Sequence, residues 1–244
     1  LESMSEIAII MAAGLGSRMR PLTDNIPKPL IRVHGMPMIE TVIKGLEKRG
    51  MSQIYIVTGY LAEEFGYLRK KYDNLSIVEN PDYKTRNNIS SIYAVSDIMG
   101  YDNCFICEAD LYVSDETIFQ AELTQSCYFG KFIKGYSDDW VFDQDQNGRI
   151  IRVGKVGTDR YNMCGISYFQ ADDAALIADE VRKAYEVPGN EQLFWDEIVD
   201  RNLDRLNLCV HPVRDDQIVE LDSVEELRAF DPDFEKYIGV TDER

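Results

Sequence analysis

The chain has 244 residues, of which 45% are hydrophobic, so it is long enough to bury the core of one enzyme-sized α/β domain. Its formal net charge of −17 argues against nucleic-acid binding, which depends on broad basic surfaces. No apolar run approaches the roughly 18 residues of a membrane span and no secretory signal opens the chain, so we expect a soluble, cytoplasmic protein without membrane insertion.

Strands and helices are predicted to alternate through the first half of the chain, after residues 1–3, which we interpret as a cloning remnant. Short apolar runs predict strands at "EIAIIMAA", "QIYIVTG", "SIVEN" and "CFICEAD". Amphipathic segments between them predict helices at "PMIETVIKGLEKRG", "AEEFGYLRKKY" and "NNISSIYAVSDIM". This order predicts a doubly wound, largely parallel, Rossmann-like sheet with helices on both faces.

The pair Cys104-x-x-Cys107 falls inside the predicted strand "CFICEAD". Residues three apart in a strand face opposite sides of the sheet and cannot chelate one ion. The chain has an odd number of cysteines, five, scattered through apolar segments, so we expect reduced thiols and no disulfides.

After residue 125 the pattern changes to that of a small antiparallel insertion. Asn147-Gly148 is a hairpin turn signal within "WVFDQDQNGRIIRVG". Helices are predicted at 171–187 and 191–203, followed by strands in "LNLCVHPV" and "IVELDS" and a last helix that "SVEE" would cap. No linker interrupts the chain, so residues 4–244 are predicted to form one domain.

The loop after the first strand combines glycines with a local excess of positive charge. Residues 14–32 contain four positively charged side chains, Arg18, Arg20, Lys28 and Arg32, and only one negatively charged side chain, Asp24. Such a loop lies at the carboxyl edge of an α/β sheet, where Gly14 and Gly16 would let backbone amides approach a phosphate. The dinucleotide fingerprint needs a glycine where Met19 stands, and the P-loop ending is absent, so triphosphate binding is the interpretation we favour.

The whole string "MAAGLGSRMRPLTDNIPKPLI" resembles the signature of the nucleotidyltransferases that activate sugar phosphates and phospho-alcohols. The segments "VTGY", "NNISSIYAV", "EADLY", "FWDEIV" and "IVELDS" are most similar to those of the small bacterial CTP:phosphocholine cytidylyltransferases. This resemblance implies a nucleotide-binding half, about 4–125, and an acceptor-binding half, about 126–244.

The resemblance also implies roles for individual residues. Arg18 and Lys28 would bind the triphosphate as the catalytic cations, with Lys28 on the α-phosphate, and Asp110 and Asp222 would hold Mg²⁺. The nucleotide-facing set is Ala12, Ala13, Gly14, Gly16, Gly59, Tyr60, Asn87, Asn88, Ser91 and Glu108. Glu108 stands where the relatives lead us to expect aspartate, and it could contact either the ribose or the acceptor. The acceptor set is Lys155, Trp140, Trp195, Asp139, Asp196, Tyr136 and Tyr168.

Three of these residues have a structural alternative. Asp222 could cap the last helix, Asn88 could cap the helix "ISSIYAV", and Trp195 could be an ordinary core residue of an amphipathic helix.

The expected activity is Mg²⁺-dependent transfer of CMP from CTP to phosphocholine, giving CDP-choline and pyrophosphate. The acceptor 2-aminoethylphosphonate or phosphoethanolamine is an alternative, which Lys131, Lys134 and the carboxylates near Trp140 support, because a primary ammonium can donate hydrogen bonds to Asp or Glu. A sugar-1-phosphate nucleotidyltransferase is a third reading, disfavoured by the short C-terminal half. A catalytically silent nucleotide-binding regulatory module would have damaged motif cations or carboxylates, yet these are present.

Overall fold

The computed structural model describes residues 4–240 and shows why the first apolar run becomes a buried central strand. Alternate side chains of the strand Glu6–Ala12 (β1) enter two different hydrophobic clusters. Ala8, Ile10 and Ala12 pack on one face of the sheet, and Ile7 and Ile9 pack on the other. A strand buried on both faces reads as a continuous apolar run, as predicted.

The elements follow the predicted order. The remaining strands are Arg32–Val33 (β2), Met36–Pro37 (β3), Gln53–Thr58 (β4), Leu75–Glu79 (β5), Asn103–Glu108 (β6), Leu111–Val113 (β7), Cys127–Gln144 (β8), Ile150–Phe169 (β9), Cys209–Pro212 (β10) and Ile218–Glu220 (β11). The α-helices are Met38–Arg49 (α1), Leu68–Lys71 (α2), Ile89–Val95 (α3), Ala171–Tyr185 (α4), Trp195–Arg201 (α5) and Val224–Phe230 (α6). Short 3₁₀ helices occupy Ser17–Met19, Leu22–Asp24, Lys28–Leu30, Ala62–Phe65, Ser96–Ile98, Glu116–Gln120, Leu203–Arg205 and Phe234–Tyr237.

Seven strands form the central sheet in the order β10-β8-β9-β6-β1-β4-β5. β1 pairs in parallel with β4 on one side and with β6 on the other. The chain therefore runs outward from β1 to β5 and then crosses back to β6, which creates a switch point between β1 and β6. Ligands bind in the crevice beyond the carboxyl ends of the strands at such a point.

Helices cover both faces of this sheet, as the doubly wound prediction requires. α1 and α2 pack on the face that carries Ala8 and Ile10, whereas α3, α4 and α5 pack on the opposite face. Within the described part of the chain, no helix is long and apolar enough to span a bilayer.

The antiparallel insertion is a long ribbon formed by β8 and β9. Its turn is at the predicted place, with Gly148 at φ +84° and with Asp145 accepting hydrogen bonds from the N–H groups of Asn147 and Arg149. The ribbon curls back on itself, so that Val141 pairs with both Gly154 and Asn162.

Two predicted helices are shorter than expected. The segment "AEEFGYLRKKY" is divided into the 3₁₀ helix Ala62–Phe65 and the single turn α2, and Gly66 between them weakens a continuous helix. The predicted helix 191–203 begins only at Trp195, because the Phe194 N–H is already satisfied by Glu197 Oε2 at 2.8 Å.

The five cysteines all lie within residues 4–240 and are free thiols. Cys104 and Cys107 belong to clusters on opposite faces of the sheet, as predicted from their spacing in β6. Burial raises the pKa of both thiols above the ordinary value. They are therefore unreactive core residues rather than half of a metal site. The interpretation of residues 1–3 as a cloning remnant lies outside the described residues.

Candidate active site

The loop that follows β1 folds back on itself and places Gly16 against Lys28. Gly16 has φ +61°, and a Cβ added there would lie 3.0 Å from Lys28 Cβ and 3.0 Å from Thr23 Cγ2. The Thr23 hydroxyl donates a hydrogen bond of 2.7 Å to the Gly16 carbonyl. Glycine is required at residue 16 because both the backbone conformation and the available space exclude a side chain.

Gly16→Ala is expected to lower the free energy of unfolding by about 1–3 kcal/mol, from the left-handed backbone and the crowding of Lys28. Gly14→Ala is the matched control, since Gly14 has no heavy atom within 4 Å of an added Cβ. Denaturant unfolding of the two variants without nucleotide measures the difference. Equal losses of stability in both would show that the loop is not packed as described.

Lys28 is a buried cation between two carboxylates. Only 7% of the surface of Lys28 is exposed. The Nζ of Lys28 lies 3.0 Å from Asp110 Oδ2 and 3.4 Å from Asp222 Oδ1. Burial by itself would lower the pKa of Lys28, but the charges and hydrogen bonds of Asp110 and Asp222 outweigh it and raise that pKa. The ammonium is therefore held in its charged form.

Strand pairing explains how these three residues meet. Lys28 follows β1 and Asp110 follows β6, the two strands at the switch point. Asp222 arrives through the antiparallel pair β7 and β11, in which Glu220 lies opposite Leu111. The loop after β1, the end of β6 and the segment after β11 thus converge at one edge of the sheet.

Asp222 is not the cap of the last helix. Ser223 is that cap, because its side chain accepts a hydrogen bond of 3.1 Å from the Glu226 N–H. The Asp222 carboxylate instead faces Lys28, and Arg18 Nη2 lies 3.5 Å from Asp222 Oδ1. Arg18 is exposed at the rim of the crevice, and Arg20 pairs with Asp24 at 3.9 Å.

The donor set at this edge fits Mg²⁺ bound together with a triphosphate. Asp110 and Asp222 keep 34% and 42% of their side chains exposed and converge on one ammonium. Mg²⁺ takes one or two carboxylates and completes its shell with phosphate oxygens and water. No group of three or more potential ligands occurs among residues 4–240, so no dedicated all-protein cage competes with this arrangement there.

A cavity of about 320 Å³ lies beside the loop after β1. One wall is residues 13–17 and the other is residues 80–91, the segment between β5 and α3. The cavity brings together the predicted residues Ala13, Gly14, Gly16, Asn87, Asn88 and Ser91. It also contains residues that the sequence analysis missed, namely Asn80, Tyr83, Lys84, Thr85, Arg86, Ser90 and Gln192.

A sequence signal for the missed residues existed. The segment "PDYKTR" follows the predicted strand "SIVEN" directly, and loops at the carboxyl ends of parallel strands border the ligand crevice. The side chains themselves could not be assigned, because the direction of such a loop depends on its tertiary contacts.

Asn88, Gly59 and Tyr60 support the cavity through contacts. Asn88 Oδ1 accepts a hydrogen bond of 2.8 Å from the Trp195 N–H and does not cap α3. A Cβ at Gly59 would lie 2.6 Å from Tyr83 Cγ, and the Tyr60 hydroxyl donates to the Thr23 carbonyl. Ala12 is 2% exposed at the end of β1 and packs in the core.

The structure does not bring all the predicted acceptor residues together. Lys155 Nζ lies 5.9 Å from the centre of the Trp140 ring and 5.8 Å from that of Phe194. Lys155, Trp140 and Phe194 thus form a patch with two aromatic side chains. Asp139 and Tyr136 are exposed on β8, the strand that carries Trp140.

Tyr168 is not brought to this region. It pairs with Phe105, well before the carboxyl end of β6, and packs edge-on against the Phe105 ring and beside Arg49. The antiparallel direction of β9 places Tyr168 toward the opposite edge of the sheet, so its assignment to the acceptor does not agree with its position.

Trp195 and Asp196 lie deeper than expected. Trp195 is 3% exposed and stacks with Tyr128 at 6.1 Å between ring centres. Asp196 Oδ1 accepts a hydrogen bond of 2.8 Å from the Tyr128 hydroxyl, and burial raises the pKa of Asp196 to about 7. Trp195 therefore packs as a core residue, which is the structural alternative considered for it from sequence.

Glu108 ends β6 next to the acidic groups of the site. Burial, together with the charges of Asp110, Glu220 and Asp196, raises its pKa well above the ordinary value, and Lys28 opposes this. The pKa of Glu220 is likewise raised to about 7 by burial. This side of the site thus crowds acidic groups, and burial makes the ionised form of both Glu108 and Glu220 less favourable.

Comparison with known proteins agrees with this geometry. A family model described as the MobA-like NTP transferase domain matches residues 8–147. A 2-aminoethylphosphonate cytidylyltransferase of Lancefieldella rimae is 54% identical over 224 residues, covering 92% of this chain and 91% of that protein. A choline-phosphate cytidylyltransferase of Streptococcus pneumoniae is 36% identical over 224 residues, covering 91% and 95%.

The solved structure of CTP:phosphocholine cytidylyltransferase from Streptococcus pneumoniae (LicC) is 32% identical, with a TM-score of 0.85, and covers 93% of this chain and 97% of that one. The predicted doubly wound fold with its antiparallel insertion is thereby confirmed.

Proposed function

This chain belongs to the family of MobA-like NTP transferases and is a cytidylyltransferase, and from that premise we propose that it transfers CMP from CTP to 2-aminoethylphosphonate. The observation that carries the choice of acceptor is the 54% identity to a 2-aminoethylphosphonate enzyme across almost the whole of both chains. The choline-phosphate enzyme reaches 36% over the same length. The order of acceptors expected from sequence, phosphocholine first, is therefore reversed.

The proposed reaction is an in-line displacement at the α-phosphorus of CTP. An oxygen of the phosphonate forms the new P–O bond while the bond from the α-phosphorus to the oxygen bridging to the β-phosphate breaks, and pyrophosphate leaves. Positioning and positive charge are what such a reaction asks of a protein. Bound Mg²⁺ would neutralise charge on the triphosphate, held by Asp110 and Asp222.

Lys28 is the residue we assign to the α-phosphate. Its ammonium is fixed by Asp110 and Asp222 at the switch point, so it need not be ordered at the moment of reaction. Arg18 is exposed at the rim, 3.5 Å from Asp222, and is suited to the outer phosphates. The cavity between residues 13–17 and 80–91 would take the nucleoside.

Lys155 is proposed to hold the phosphonate of the acceptor. It projects from the ribbon over the rings of Trp140 and Phe194, and Phe194 directly precedes the residues Trp195 and Asp196. An acceptor held there would lie between the ribbon and the end of β6.

The test is pyrophosphate release with Mg²⁺, combining each of CTP, UTP, ATP and dTTP with each of four acceptors. These are 2-aminoethylphosphonate, phosphoethanolamine, phosphocholine and glucose-1-phosphate. We expect the highest kcat/KM for CTP with 2-aminoethylphosphonate. A higher kcat/KM with phosphocholine or with the sugar phosphate would overturn the proposed acceptor.

A further inference from the structure

Tyr185, the last residue of α4, contacts the segment 80–91 without lining the cavity that this segment borders. Tyr185 is 7% exposed, and its hydroxyl donates a hydrogen bond to Asp82 Oδ2. Its backbone carbonyl accepts a hydrogen bond of 2.8 Å from Arg86 Nη1. One residue of α4 therefore contacts the segment at two of its residues.

The ring of Tyr185 is held between two flat side chains. Tyr93, on α3, stacks against it with the ring centres 3.8 Å apart and the ring planes at 8° to each other. Arg86 Cζ lies 3.9 Å from the centre of the Tyr185 ring. Because Tyr93 already covers one face of that ring, the guanidinium must lie on the other. The stacking and the hydrogen bond to the Tyr185 carbonyl together fix the Arg86 side chain.

Asp82 and Arg86 are the two ends of a turn whose middle residues border the cavity. The Asp82 carbonyl accepts hydrogen bonds from the Thr85 N–H at 3.1 Å and from the Arg86 N–H at 2.9 Å. Tyr83, Lys84 and Thr85 lie between the two ends, and all three line the cavity. A contact that holds both ends of this turn therefore determines where its cavity-lining residues lie.

The helix α4 gives Tyr185 a fixed position from which to hold the turn. Its inward residues Ile177, Ala178 and Val181 are at most 1% exposed. Residues 84 and 85, by contrast, are exposed on a loop. A binding wall on a loop keeps its geometry only when a rigid element supports it. The packed helix α4, ending in Tyr185, is such an element.

We infer that Tyr185 is a positioning residue for the nucleotide, because its contacts with Asp82 and Arg86 hold residues 82–86 in the conformation that binds CTP. The inference rests on the proposed function in that the cavity takes the nucleotide, and it does not depend on which acceptor is used. When the contact is lost, a smaller fraction of the molecules has a wall competent to bind, and the apparent affinity falls by that fraction. Once CTP is bound the wall is formed, so turnover proceeds as in wild type.

The experiment compares wild type with Tyr185→Phe, which removes only the hydroxyl, and with Asp82→Ala, which removes its partner. We expect each change to raise KM for CTP about 5- to 20-fold. This is a moderate loss for a hydrogen bond to a charged group, because residues 191–193 also hold the segment through backbone hydrogen bonds. The values of kcat and of KM for the acceptor should stay within about twofold of wild type.

The matched control is Tyr101→Phe, which removes the hydroxyl of a tyrosine that is 75% exposed. It should leave kcat and both KM values unchanged. Equilibrium binding of CTP without acceptor should weaken in Tyr185→Phe and Asp82→Ala by the same factor as KM for CTP rises. Thermal unfolding verifies that each variant is folded at the temperature of the assay.

Two further variants separate the Tyr185–Asp82 contact from a general loss of packing. The double variant Tyr185→Phe with Asp82→Ala should raise KM for CTP no more than either change alone, because both remove the same hydrogen bond. Asp82→Asn keeps an oxygen that accepts from the Tyr185 hydroxyl, so it should recover most of the affinity lost in Asp82→Ala.

Failure of the inference and failure of the proposed function give different results. If Tyr185→Phe changes KM for CTP by less than about twofold, or raises KM for the acceptor in the same proportion, the inference is wrong. Additive effects in the double variant would overturn it as well. If wild type binds CTP but prefers another acceptor to 2-aminoethylphosphonate, the proposed acceptor fails, and the same comparison with the preferred acceptor decides the inference. Absence of CTP binding by wild type would overturn both.

Discussion

Lys28→Met is expected to lower kcat for CMP transfer by about 100- to 1,000-fold, the loss typical of removing one donor that stabilises transition-state charge. Methionine keeps the length of the side chain and removes only the ammonium, so the packing against Gly16 is retained. The assay is pyrophosphate release at saturating CTP and acceptor. The effect should appear mainly in kcat, because the charge is needed most as the leaving pyrophosphate separates.

The matched control for this variant is Lys70→Met, at an exposed residue of α2. It should keep wild-type kcat and KM. Retention of near-normal kcat/KM by Lys28→Met would contradict the mechanism, even with Mg²⁺ binding intact. Circular dichroism and thermal unfolding exclude the trivial explanation that the variant is unfolded.

Asp110→Asn should produce the second large effect, on the Mg²⁺ requirement. The change removes one of the two carboxylates that face Lys28 and replaces a charged ligand by a neutral one. We expect kcat/KM to fall at least about 100-fold and the Mg²⁺ concentration for half-maximal activity to rise at least about tenfold. A titration of activity against Mg²⁺ at fixed CTP measures both.

Asp73→Asn, at an exposed residue before β5, is the control and should reproduce the wild-type titration. A Mg²⁺ curve for Asp110→Asn that superimposes on the wild-type curve would show that Asp110 is not a ligand. A lower plateau with an unchanged midpoint would also count against Asp110 as a ligand, since it would separate turnover from Mg²⁺ affinity.

The local pattern of apolar and turn residues was sufficient to predict the architecture of the fold. The continuous apolar run of β1 requires burial on both faces, and its alternate residues do enter two clusters. The same logic placed Cys104 and Cys107 on opposite faces of β6, and the Asn147-Gly148 turn in the ribbon. These features depend only on strand periodicity and on turn geometry, which short segments carry by themselves.

The positions of individual side chains depend on long-range pairing as well as on local pattern. Asn88 was expected to face the nucleotide, with capping of its own helix as the alternative; it borders the cavity beside the loop after β1, and its side chain accepts a hydrogen bond from the Trp195 N–H instead of capping the helix. Tyr168 was expected near the acceptor, but the register of β9 against β6 places it beside Phe105. A one-residue difference in register changes the face of every side chain, and no short segment encodes it.

By itself, the sequence determined the doubly wound α/β class, the place of the loop rich in glycine and positive charge, and the list of cations and carboxylates able to do the chemistry. Only the tertiary structure decided that Lys28 lies between Asp110 and Asp222 and that residues 80–91 form the second wall of the cavity beside the loop after β1. The physical reason is that periodicity and turn chemistry act over a few residues. The order of the strands and the packing of side chains depend instead on how the whole core is buried.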